Sequence, residues 1–340
     1  MVPQRKGNGV MRKTQSFAAR RMIVGLERRI VLVSSVLVAA TLVANLAPRV
    51  PAIPPDTWDQ AFEVIPLPAA PAAVDEHVTV RANSVAKLAA VFQRFGYDLD
   101  TVRARGLVPR VYLASLPPDL SEMPDVDERK MTFIQMMLPL VLQVNETIAH
   151  DRARIRALRD EFARSHALKP RDAEWLHDIS ATYGLDQDAD FDELLMRADV
   201  VPASLAVAQA ALESGWGTSR FAHEGKALFG QYVWGAATDG IVPHDREDGK
   251  THKIKAFDSL TDAISAYARN LDVNPAYEGF RKARAAMRAK GLDPDGYELA
   301  EQLTNYSELR GAYVKMVRRV IDMNALSRFD DVRLASRRAL

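Results

Sequence analysis

Three features of this 340-residue chain predict an α+β fold, mainly α. Apolar residues recur at helical spacing through most of residues 83–328. One stretch, 225–249, breaks that rhythm with glycines and aromatics, among them Phe229-Gly230-Gln231-Tyr232-Val233-Trp234-Gly235, and reads as a small β-lobe or hairpin. A helix ending in an acid comes just before this stretch and helices resume after it, so strands are segregated from helices rather than alternating with them.

Taken from the N-terminus, residues 1–29 form a basic tail with eight Lys or Arg against the single acid Glu27. Residues 30–47 carry no charge. At about 18 residues they would make a helix of about 27 Å, close to the thickness of a bilayer core. Positive charge on one flank keeps that flank cytosolic and sends the rest across the membrane. Val38-Ala39-Ala40 offers small residues for signal cleavage, but the long basic lead and Pro48 favour an uncleaved anchor. Residues 48–82 are a linker with prolines at 48, 51, 54, 55, 66, 68 and 71. Its proline-dense part, 48 to about 74, reaches on the order of 75 Å if extended.

A helical accessory region is expected over 83–190. Ser84 caps a helix with Leu88, Val91, Phe92 and Phe95 on one stripe, and Gly96 stops it. A loop rich in proline and acids spans 116–127. Residues 131–158 read as one long amphipathic helix kinked at Pro139, with its methionines in the core. Shorter helices are expected at 172–183 and 191–198. Beyond the lobe, 252–257 alternates like a strand, Ser259 starts a helix through Leu260, Ile264 and Tyr267, and Gly291 stops another over 281–290. The last helix covers 312–326, and the tail, 329–340, is expected to fray beyond Asp330.

Hydrophobic residues make up 48% of the chain, enough for a sizeable core, and the net charge is only +1. With the basic tail set aside the remainder is neutral to slightly acidic, which argues against nucleic acid as a partner. There is no cysteine, so disulfides, thiolate metal sites and a cysteine nucleophile are excluded. His223, His244 and His252 lie near acids, but none are paired at i, i+4 on a helix, so no metal and no cofactor is expected. Ser214 and His244 can be drawn as part of a triad, yet Ser214 lacks the flanking glycines of a nucleophile elbow.

The most informative stretch is Ala210-Ala211-Leu212-Glu213-Ser214-Gly215-Trp216-Gly217. Pro202 suits a first helical position, Leu205, Ala208, Gln209 and Leu212 share a face, and the glycines end the helix. Glu213 therefore falls in the last turn, where the carbonyl end of the helix disfavours a further negative charge and Trp216 can exclude water. Both raise its pKa. An acid that holds its proton near neutrality is what protonation of a leaving sugar oxygen requires. A solvated surface glutamate beside a core tryptophan is the plainer alternative.

Residues 209–231, QAALESGWGTSRFAHEGKALFGQ, resemble the signature of the bacterial glucosaminidase domain, glycoside hydrolase family 73 of the lysozyme-like superfamily. More closely, the chain is similar to the Bax-type proteins of Gram-negative bacteria from about residue 83 to 321, including MLPLVLQVNE at 137–146 and LTNYSELRGAYV at 303–314. The resemblance implies a lysozyme-like glucosaminidase domain over 191–328, with Glu213 as general acid for cleaving peptidoglycan glycan strands. Together with the basic tail and the uncharged span at 30–47, this leads to the expectation of a single-pass inner-membrane protein with its catalytic domain in the periplasm.

The resemblance also supplies a second acid in the lobe. Of Asp239, Asp245, Glu247 and Asp248, the position falls nearest Asp245, where the family usually has glutamate, with Glu247 as runner-up. It supplies as well a tyrosine near the last helix, matched by Tyr306. Trp216, Phe229, Tyr232 and Trp234 are candidate sugar platforms, and Gln231 a polar contact. A lytic transglycosylase or muramidase using the same acid, and a non-catalytic wall-binding scaffold, are the competing expectations.

Overall fold

The computed structural model describes residues 78–185, 190–233, 240–243, 251–307 and 309–336. The basic tail, the uncharged stretch at 30–47 and most of the proline-rich segment lie outside these residues. Where described, the chain is mainly helical with a few small sheets.

Strand β1 (Val78–Val80) leads to α1 (Val85–Arg94), where Ser84 accepts from the Lys87 amide as expected. Asp98 caps α2 (Leu99–Arg105), and Gly106, at φ +68°, turns the chain out of it. The accessory region also holds strands that its periodicity does not announce, β2 (Leu107–Val108) and β3 (Val111–Leu113). β1 and β3 pair in parallel, with Val78 opposite Val111. Strands of two or three residues are too short to display an alternating pattern.

The long helix, α3 (Val126–Ser165), is 40 residues, extending the expected span at both ends and running unbroken through Pro139. It starts at Asp125, whose carboxylate accepts from the amides of Asp127 and Glu128. Met136 and Met137 are fully buried and belong to the core, whereas Met131, near the start of the helix, is exposed to solvent rather than in the core as expected.

The second half of α3 packs with α4 (Pro170–Thr182) and α5 (Phe191–Arg197) around Ile155, Ile179, Tyr183, Leu194 and Leu195, a satellite of the main core. Helix α6 (Ala203–Ser214) follows, and every residue from Ala203 to Ala211 is buried. Such a helix is surrounded, not amphipathic. Its alanines let neighbours come close; at Gly296 an added Cβ would lie 2.1 Å from Ser204 Oγ.

Then come α7 (Arg220–Gly225) and the lobe, in which β6 (Lys253–Lys255) lies between β4 (Tyr232–Val233) and β5 (Gly240–Ile241), antiparallel to both. Ser259 caps α8 (Leu260–Val273), and α9 (Glu278–Ala289), α10 (Gly296–Leu299) and α11 (Gly311–Met323) complete the shell around α6. α3, α10, α11 and the 3-10 turn Leu326–Phe329 all pack on α6. Among the described residues the chain past Asp330, to residue 336, is held by pairing and burial rather than frayed. Strand β7 (Arg333–Leu334) pairs in parallel with β2, and Phe329, Val332 and Leu334 are buried, so these apolar side chains close the core beside α2.

The entry to α6 is fixed by charge. Asp199, 1% exposed, takes ion pairs from Arg152 and Arg288. Arg284, fully buried, pairs with Asp272 at 2.8 Å and donates to the carbonyls of Met196, Arg197, Asp199 and Val200. At the helix start, Asp330 accepts from the Ser204 amide and hydroxyl, both at 2.7 Å, and from the Gly296 amide at 3.1 Å.

Breaking a buried pair leaves an uncompensated charge. Arg284→Met should therefore cost about 3–5 kcal/mol in chemical denaturation, against a few tenths for an exposed control such as Lys282→Met.

Candidate active site

Glu213 occupies the last turn of α6, as its spacing predicts. The chain leaves the helix through three successive left-handed residues, Gly215 (φ +59°), Trp216 (φ +59°) and Gly217 (φ +77°). Glycine is needed at 217 for space as well as torsion, since a Cβ there would come within 2.9 Å of the Phe133 ring. Trp216 has no such freedom and adopts a conformation that costs an L-residue of order 1 kcal/mol. Backbone bonds hold the turn: the Trp216 amide donates to Ala211, and the Ser219 amide to Ser214. The Ser214 hydroxyl donates to the Ala210 carbonyl and accepts from the Gly217 amide, a local structural role.

The carboxyl group is half-buried, and Tyr313 Oη on α11 donates to its Oε1 at 2.9 Å. Burial pushes the Glu213 pKa up to about 7, only partly opposed by the Tyr313 hydrogen bond, which favours the anion. Among the described residues Glu213 makes no ion pair. Its second oxygen, Oε2, faces the lobe, and a Cβ built on Gly230 would lie 3.7 Å from it. An acid on a buried helix is thus presented to the strand entrance with its pKa raised toward neutrality.

The other expected residues fall in different places. Tyr306 is half-buried and stacks on Tyr313, with ring centroids 5.3 Å apart, but the phenol bonded to Glu213 is that of Tyr313. Trp216 turns toward α3, its ring edge-on to Phe133 at 5.9 Å. Phe229 is 5% exposed and stacks on Tyr267 at 4.0 Å, so it is part of the core. Tyr232 is half-buried against His252, and Gln231 borders the same edge with its side-chain oxygen buried. Trp234, Asp239, Asp245, Glu247 and Asp248 lie outside the described residues.

Sequence reasoning passed over Tyr313. The available signal was a phenol inside the apolar stripe of Val314, Val317 and Ile321, since a buried tyrosine hydroxyl needs a partner. Among the described residues no cluster of acids and histidines could hold a metal ion. A hollow of about 500 Å³ lies at the start of α6, lined by Asn145, Pro202, Arg288 and Asp330 among others, at the helix end away from Glu213.

A family model described as glucosaminidase, mannosyl-glycoprotein endo-beta-N-acetylglucosaminidase, matches residues 189–326. Protein bax of Escherichia coli K12 is 31% identical over 202 residues, which cover 58% of this chain and 70% of bax. The peptidoglycan hydrolase FlgJ of the same strain is 31% identical over 148 residues, 39% of this chain and 47% of FlgJ, so the match spans about half of that relative. In the solved catalytic domain of the autolysin Auto from Listeria monocytogenes, 97% of the domain aligns with 52% of this chain at 16% identity and a TM-score of 0.28, too slight a likeness to bear on the site.

The raised pKa has a consequence for stability. An acid whose folded pKa stands above its unfolded value stabilises the fold below the unfolded pKa and loses that contribution as pH rises through the folded one. From 4.5 to about 7 this amounts to about 3 kcal/mol. Unfolding free energies of wild type and Glu213→Gln should therefore diverge between pH 4.5 and 7, in favour of the glutamine, and run parallel above; a constant difference would mean an ordinary carboxylate.

Proposed function

Because the chain belongs to the Bax-type family of glucosaminidase-domain proteins and is a glycoside hydrolase, we propose that it hydrolyses the glycan strands of peptidoglycan as an endo-β-N-acetylglucosaminidase with Glu213 as general acid. The observation that carries this reading is the position of Glu213, at the end of a buried helix and turned toward the lobe, with a pKa raised to about 7 so that a large share keeps its proton near neutrality. A sugar chain lying between the helical body and the lobe would meet Glu213 at the glycosidic oxygen. Transfer of the proton lets the C–O bond break while positive charge builds on the ring carbon.

A second group is then needed to stabilise that charge or activate water. Asp245, with Glu247 as the alternative, is the candidate on the segment joining β5 to β6. Burial holds the Tyr306 phenol well above its usual pKa. It stays a neutral hydroxyl, suited to orienting the substrate's acetamido group or the attacking water. Tyr232, Gln231 and Trp234 are the candidate sugar contacts on the lobe, and Trp216 is one at the helix end. FlgJ, a peptidoglycan hydrolase by name, supports the choice of substrate.

The tether belongs to the same reading. The basic residues 1–29, the uncharged stretch 30–47 and the proline-rich linker support a single-pass inner-membrane anchor with the enzyme in the periplasm.

Glu213→Gln should release no soluble fragments from purified peptidoglycan while keeping a cooperative unfolding transition; full activity in that variant would remove Glu213 as the acid. Products of the wild type should end in reducing N-acetylglucosamine by mass spectrometry. Anhydro-muramic ends would make it a lytic transglycosylase, and wall binding without release a scaffold. The full chain should sediment with membranes and leave them in detergent but not in high salt, whereas release by salt alone would rule out the anchor.

A further inference from the structure

Gln209 is fully buried in α6, one turn before Glu213, and proton donation by the acid does not by itself call for an amide there. Its two ends are bonded differently. Tyr267 Oη donates to Gln209 Oε1 at 2.6 Å, Gln209 Nε2 donates to Tyr313 Oη at 3.0 Å, and Tyr313 Oη donates to Glu213 Oε1 at 2.9 Å. The first length is usual for O–H···O and the second for N–H···O, so the lengths agree with this orientation of the amide. An amide accepts at one end and donates at the other, and it cannot reverse without both neighbours reversing too.

A phenol has one proton. With the Tyr313 oxygen already receiving the Gln209 N–H, its own hydrogen is directed to Glu213 Oε1. A protonated Glu213 must then carry its hydrogen on Oε2, the oxygen that faces Gly230 and the lobe.

We propose that Gln209 is a positioning residue that sets the direction of a buried hydrogen-bond chain, Tyr267 to Gln209 to Tyr313 to Glu213, and so keeps the transferable proton on the lobe-facing oxygen. In the reversed chain Glu213 would donate inward from Oε1 to Tyr313 and present a bare oxygen to the substrate. Tyr267, 1% exposed, anchors the forward direction by donating to the amide oxygen.

The titratable groups that act on or respond to Glu213 among the described residues are tyrosines: Tyr267 on α8, Tyr277 in the 3-10 turn Pro275–Tyr277, Tyr306 before α11, and Tyr313 on α11. Burial raises the pKa of each, so each stays protonated while Glu213 titrates. The assignment rests on Glu213 being the acid.

The test compares wild type, Gln209→Met, Tyr267→Phe and Glu213→Gln on soluble peptidoglycan strands, measuring kcat and KM from pH 5 to 9 together with the thermal midpoint. Gln209→Met and Tyr267→Phe should lower the plateau kcat about tenfold with KM within about twofold of wild type. They should also move the alkaline limb up by about half to one pH unit, since Glu213 loses part of the bond that favours its anion. Methionine fills the glutamine's volume and Tyr267→Phe removes a single oxygen; should the first variant not fold, the second carries the test. Wild-type kcat and an unmoved limb would overturn the proposal, and so would a lower kcat with an unmoved limb and a lower thermal midpoint, the mark of loosened packing. Full turnover by Glu213→Gln would instead overturn the reading beneath it.

Discussion

The structure depends on holding one carboxyl group half-buried, largely shielded from water, at the end of a helix that is itself out of water. Those demands pull against each other, because a polar group inside a protein must find partners and a charged one must find a counter-ion. The chain meets them with phenols. Tyr313 gives Glu213 a hydrogen bond without giving it a charge, so the group is held in place yet not locked as an anion. An arginine in that position would fix the geometry equally well and abolish the acid.

Surrounding a helix on all sides makes its placement a problem for the whole chain. α6 is built mostly from alanine, which packs closely but makes few distinctive contacts, so direction and depth are set at its start by polar groups. Arg284 gathers the carbonyls of Met196, Arg197, Asp199 and Val200, and Asp330 receives the amide and hydroxyl of Ser204 in the first turn of the helix. Rigidity introduced there is carried about 15 Å along the axis to the turn that holds Glu213. Left-handed torsion at Gly215, continued through Trp216 and Gly217, then stops the helix just after Glu213.

Local signals in the sequence were enough to place the acid. Pro202, the apolar spacing and Gly215 put Glu213 in the last turn, and Ser84 and Ser259 capped the helices they announce. What they could not reveal was anything set by distant pairing. Tyr313 meets Glu213 across 100 positions and Gln209 meets Tyr267 across 58, and both looked like members of apolar stripes. The aromatic run at 229–235 was legible as a break in helix but not as a division between core and lobe, so Phe229, a core ring, was grouped with the candidate sugar contacts. The short strands β1, β2, β3 and β7 pair only through long-range contacts, which no window of a few residues records.

Strand β7 bears on how freely this fold can be rearranged. Residues beyond 326 lie past the family match, yet they hold Phe329 in the core, Asp330 at the head of the acid's helix and a strand bonded to β2. The homologous segment is therefore not a portable cassette. Fusing it elsewhere by its borders of similarity would strip the helix of its acceptor and open the interior beneath α2, so recombination that preserves the enzyme has to carry both flanks along.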